Sequence, residues 1–282
     1  MKVFTHYADD EKNTVRQIRM IIKTGGGDPA TGAPEGIHWH MNIANNIDYV
    51  AADEKHQIIP YVHVVDQQGR VTEYYAKDST LSKDQIAKAP RHHMDCVDCH
   101  NRPTHIYVPP DQAVDQSLQA RRLDRTLPFI KQQAVTVLTG SYANSEAAMQ
   151  GIAKGLDDFY ESKYPDIAAS KQLEIRNAVA EVQQIFQRTT FPEMKVNWQT
   201  HPDNLGHYYF SGCFRCHDGQ HVSSDGRVLS RDCNQCHTFM SQSEGTTELM
   251  AAGSQQTFAH PVDLGDLTQV NCADCHTGGV GP

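Results

Sequence analysis

The chain has 282 residues. None of its apolar runs approaches the roughly 20 residues that a membrane-crossing helix needs. Its opening, Met1 to His6, is followed by Asp9, Asp10, Glu11 and Lys12 rather than by an apolar stretch, so it does not form a secretory signal. Basic residues are outnumbered, 25 Lys and Arg against 34 Asp and Glu, for a formal charge of −9. That balance argues against nucleic acid or an anionic membrane surface as a partner. Cysteine is absent from residues 1–90, and none anywhere lies outside one repeated pattern.

The pattern is Cys-x-x-Cys-His. It occurs four times, as Cys96/Cys99/His100, Cys213/Cys216/His217, Cys233/Cys236/His237 and Cys272/Cys275/His276. Paired cysteines also build zinc sites or redox-active thiol pairs, but neither chemistry needs histidine directly after the second cysteine. With 16 histidines in the chain, four such placements by chance have a probability on the order of 10⁻⁵. The pattern is the attachment signature of c-type haem: the thiols form thioethers and the histidine binds the iron. Four haem c groups are therefore expected, about one per seventy residues, with a polypeptide that serves mainly to hold them.

Haem c is normally attached outside the cytoplasm, so a periplasmic or cell-surface location is expected, together with an export or anchoring segment upstream of Met1. Ionised haem propionates would add to the acidity and favour a basic redox partner.

Four segments are expected: a haem-free region over 1–90, a first haem-binding segment over 91–110, a helical insert over 111–190 and a three-haem domain over 191–282. In the first, Thr14 to Lys23 predicts a short helix closed by Gly25-Gly26-Gly27-Asp28-Pro29. Ile58–Val65 and Val71–Tyr75 predict a hairpin, and Ser82 with Gln85 a capping box. In the insert, Asp111–Asp124, Pro128–Leu138, Ser145–Tyr160 and Pro165–Arg188 carry helical periodicity. The last of these has a stripe of Leu173, Ile175, Val179, Val182, Ile185 and Phe186. From Phe191 onward periodicity fades, so the macrocycles are expected to supply much of the buried apolar surface. The fold class expected is mainly α with much irregular loop: a multihaem protein with a small β-hairpin near the N terminus and a helical insert between haem 1 and haems 2–4.

The motifs assign His100, His217, His237 and His276 as proximal iron ligands. The remaining histidines outnumber the sixth positions, and Met94 and Met240 lie too near their own motifs to fold over readily, so bis-histidine ligation is expected. The distal candidates are His93, His207, His221 and His260. His92, His105, His38 and His40 stand in reserve; His38 and His40 flank Trp39 on one side of an extended segment. His6, His56, His63 and His201 are taken as structural. Arg102, Arg215, Lys195 and Arg231, near the motifs, are candidates to pair with propionates.

The segments His92–Asp115, Gly206–Gly226, Arg231–Phe239 and Phe258–His276 resemble the C-terminal multihaem region of NapC/NirT-like cytochromes c, over most of residues 35–282. The resemblance implies electron transfer in the bacterial cell envelope, commonly from a membrane quinol-linked donor, with redox proteins or other cytochromes as partners. It also implies a membrane anchor that these residues do not show. The expected activity is relay of single electrons, with no catalytic residue. Alternatives are a subunit of a conducting assembly, or a reductase with one open haem.

Overall fold

The computed structural model describes residues 1–25, 36–41, 45–250, 258–267 and 269–280. Gly26 to Pro29 of the expected breaker lie outside them. Helices occupy 35% of the chain and strands 21%, in three antiparallel sheets. The expected class, mainly α with one hairpin, is thus corrected: strands are a major part of the framework.

The largest departure is at Thr14–Lys23, which forms a strand and not a helix. Strands β1 (Lys2–Tyr7) and β2 (Val15–Ile22) pair antiparallel. Along β2, Ile18, Met20 and Ile22 are more sheltered than Arg19 and Ile21, a period of two. The hairpin forms at the two runs the sequence marks, over Tyr61–Val65 and Val71–Ala76, but as part of a larger sheet. Strands β3 (Asn46–Val50), β4 (Tyr61–Val65) and β5 (Val71–Ala76) pair in succession, and β6 (His92–His93) adds beside β3. Helix α1 (Lys83–Lys88) starts on the Ser82–Gln85 capping box.

A minimal pair follows, β7 (His100–Asn101) with β8 (Asn204–Leu205). Strands β9 (His221–Ser223), β10 (His237–Glu244) and β11 (Thr247–Met250) complete the sheets, in the orders β1-β2-β10-β11 and β6-β3-β4-β5-β9. Each larger sheet therefore joins strands from before the first motif to strands from after the second.

Between the first and second motifs lie α2 (Pro110–Gln119), α3 (Ile130–Leu138), α4 (Ser145–Lys163), α5 (Pro165–Ser170) and α6 (Gln172–Thr189); the single helix expected over Pro165–Arg188 is broken at Lys171. Ala148, Ile152, Leu156 and Tyr160 recur every fourth residue on α4 and are completely buried. They face Ile175, Ala178, Val182, Ile185 and Phe186 of α6. Leu173 departs from the expected stripe and is 60% exposed. A fully buried aliphatic side chain of this kind contributes about 1.5–3 kcal/mol. A second, smaller core under the five-stranded sheet gathers Ile47, Tyr49, Ile59 and Val62 with Cys216 of the second motif, and Trp39 packs against it. Beyond Trp198, Cys216 and Phe239 are the only buried apolar residues among those described.

Candidate haem attachment sites

Each motif folds as one short helical turn, which brings its two thiols to the same side. The turns are Cys96–Asp98, Gly212–Arg215, Cys233–Cys236 and Cys272–Cys275. Local chemistry sets three of them. Asp95 caps Val97 N–H at 2.9 Å, Asp232 caps Asn234 N–H at 2.9 Å, and Asn271 forms a capping box with Asp274. The second turn relies instead on Gly212, whose φ is +52° and whose added Cβ would sit 1.9 Å from the carbonyl oxygen of Gly206. All eight thiols are free, and among the described residues no three or more metal-binding side chains gather in one cluster.

The turns follow one another in space in the order of the sequence. Burial raises the Cys99 thiol, and nearby Cys213 adds to the effect. Burial likewise raises the thiols of Cys213 and Cys272. Arg215 of the second turn bonds Asp98 O of the first, Arg231 ahead of the third lies over Phe214 of the second, and it bonds Val270 O ahead of the fourth. Cys216, fully buried, is pushed up to about 12 by loss of water.

Three of the four proximal histidines face a second imidazole. His207 and His237 approach Nε2 to Nε2 at 3.5 Å, ring centres 5.8 Å apart. His40 and His217 have ring centres 5.8 Å apart, and their Nδ1 atoms lie against carbonyls, Ile37 O at 2.7 Å and Ser230 O at 3.2 Å. His260 and His276 are 6.3 Å apart, with His260 Nδ1 on Val262 O at 2.7 Å. An imidazole nitrogen binds a first-row metal ion at about 2 Å, so opposed ligands of one ion have nitrogens about 4 Å and ring centres roughly 6 Å apart. An Nδ1–H donated to a carbonyl leaves the Nε2 lone pair for metal. Burial lowers the pKa of His207, His217, His237 and His276, favouring the neutral, ligating form. The residues fit haem c.

His100 is different. It is exposed on β7, and its ring meets no other among the described residues.

The other candidates lie elsewhere. His221 is 1% exposed and both its nitrogens are engaged, Nδ1 by Asp218 at 2.9 Å and Nε2 by the Ile59 carbonyl at 2.7 Å. It fastens β9 and has no free lone pair for iron. His93 bonds Asp48 at 3.1 Å. His92 packs on His56 at 4.3 Å, and His105 stacks on Tyr107 at 4.5 Å. His38 makes no ring contact with a motif histidine.

Sequence reasoning missed the stack on the fourth site. Tyr208 lies 4.4 Å from His276 and 5.7 Å from His6, whose Nδ1 bonds Asp115 at 3.1 Å. The signal was the run Tyr208-Tyr209-Phe210 ahead of the second motif. It missed the arginine partners too: Arg102 forms a two-pronged pair with Asp203 at 2.7 and 2.8 Å.

Residues 207–279 match the family model described as Cytochrome c3. That span holds the second, third and fourth motifs together with His207 and His260. The whole chain is also 43% identical, over 290 residues, to a protein of Geobacter sulfurreducens named Cytochrome c-type protein ImcH. The chain spans 56% of that relative's length. No solved structure matches. Both likenesses support a c-type cytochrome with haem c as its cofactor, and electron transfer over catalysis. Among the described residues no helix is long and apolar enough to cross a membrane.

Proposed function

We propose that this chain carries four haem c groups and relays single electrons along them outside the cytoplasm. The observation that carries the proposal is the pairing of imidazoles at about 6 Å across three of the four attachment turns. Bound there, haem supplies the one-electron couple. The protein would supply the thiols that attach it and the imidazole nitrogens that hold its iron. His40 would be the sixth ligand beside His217, His207 beside His237 and His260 beside His276. The order of the turns supports passage from the first haem to the fourth, or the reverse.

The donor is proposed to be quinol-linked, as the NapC/NirT-like segments imply, and the acceptor another redox protein or cytochrome. Four haems also account for the sparse apolar core beyond Trp198, since each macrocycle would bring its own apolar surface.

A second reading rests on His100. With no opposing imidazole, its haem would be open, as a reductase requires, or would take a ligand from another polypeptide.

Low-temperature electron paramagnetic resonance of the oxidised holoprotein, with haem counted as the pyridine haemochrome, separates these readings. Four low-spin haems support a closed relay. A high-spin signal of one haem supports the second reading. A count below four overturns the four-haem proposal.

A further inference from the structure

Arg215 sits inside the second attachment turn, between Phe214 and Cys216, and its guanidinium makes three hydrogen bonds, all to backbone carbonyls. Nε donates to Gly212 O at 2.9 Å, closing its own turn. One Nη donates to His56 O at 2.8 Å, and the other to Asp98 O, inside the first attachment turn. One side chain therefore binds two haem loops and the Asp53–Ile58 turn together. His56 itself is held at φ +53°, a left-handed conformation uncommon outside glycine.

Among the described residues no carboxylate pairs with this cation. Three of its five N–H groups go to carbonyls, and these neutral acceptors do not cancel its charge.

The next seam repeats the arrangement. Arg231, two residues before Cys233, donates to Val270 O, two residues before Cys272, and its guanidinium lies 4.8 Å over the Phe214 ring. It too has no carboxylate partner among the described residues. An arginine facing propionates would be neutralised by them. Arg215 has three of its donors turned to protein carbonyls and Arg231 has one.

We propose that Arg215 and Arg231 are positioning residues that fix the spacing of successive haem loops and, as unpaired cations, raise the reduction potentials of the haems they join. Arg215 serves the first and second haems, Arg231 the third and fourth. A fixed positive charge stabilises the reduced centre, which carries one positive charge fewer. The inference rests on the four-haem reading, which the haem count of the wild-type protein checks by itself.

The test is a spectroelectrochemical titration of the holoprotein and its variants R215Q, R215K and R231Q, after haem counting. R215Q is expected to lower two of the four potentials, so that at a fixed potential the reduced-to-oxidised ratio of those haems falls about tenfold, which is about 59 mV for a one-electron couple. R231Q is expected to lower the other two by a similar factor. R215K keeps the charge without the three-pronged grip, so its potentials are expected to return toward wild type. A loss of packing alone would not be reversed by lysine. If R215Q does not mature, R231Q carries the same test at the other seam. Four unchanged potentials in a fully loaded glutamine variant, or an equal change in all four haems, would overturn the proposal.

Discussion

His207 and His237 point their Nε2 atoms at each other across 3.5 Å, while the Nδ1 atom of each is buried without a hydrogen-bond partner. Two neutral imidazoles gain little from such an approach, but one metal ion between them would use both lone pairs. Replacing His207 by alanine should convert one haem, that at Cys233 and Cys236, to a high-spin or vacant state and leave the others as they were. Electron paramagnetic resonance reads this directly; an unaltered low-spin spectrum would remove His207 from the ligand set.

His40 and His221 make a sharper contrast, because the residues beside the second motif offer both. His40→Ala should change the spin state of one haem. His221→Ala should leave every spin state alone and lower stability by about 1–3 kcal/mol, the cost of orphaning the half-buried Asp218 carboxylate and the buried Ile59 carbonyl. Paired optical spectra and denaturant titrations of the two variants check both halves.

Gly212→Ala should cost the protein one haem. The new methyl group would meet the Gly206 carbonyl at 1.9 Å, and backbone cannot yield as a flexible side chain does. The second turn would then open and misplace Cys213 and Cys216. A haemochrome count one lower than that of the wild-type protein is the expected result.

Acid should weaken the start of helix α4. Glu193 accepts hydrogen bonds from Ser145 N–H at 2.8 Å and Ser145 Oγ–H at 2.9 Å, and the backbone bond in particular holds its carboxyl below the ordinary value of 4.5. A carboxylate whose pKa is depressed on folding contributes stability that is complete above its unfolded pKa and is lost as pH falls through the folded one. Glu193→Gln should therefore lower the melting temperature at pH 7 and make a smaller difference near pH 3. An equal difference at both would show that the charge is irrelevant.

The Cys-x-x-Cys-His motifs, though not the turns and caps that hold them, could be read directly, because their signature is local: two thiols and one imidazole within five residues. The helical insert was legible for a similar reason, its stripes repeating every three or four residues. Strand β2 was not. Val15–Ile22 is apolar enough for either period, and what decides for a strand is its neighbour β10, which pairs Met20 with Phe239 and Ile18 with Gln242. Histidine roles divided along the same line. His40 was visible as a candidate beside Trp39, but its approach to His217 depends on Trp39 packing into the core that also holds Cys216. His221 looked equally suited, and nothing near it in sequence announces the Ile59 carbonyl that occupies its Nε2.

That pairing of β2 with β10 has a consequence for the birth of the protein. Arg16 and Glu244, joined by an ion pair at 2.6 Å, are 228 residues apart in the chain. A polypeptide made or exported from its N terminus must present its first strands long before their partner arrives. His237 is also the first residue of β10, opposite Ile22. Closure of this sheet therefore also fixes where the third Cys-x-x-Cys-His turn leaves off, and until β10 arrives β2 presents an open strand edge.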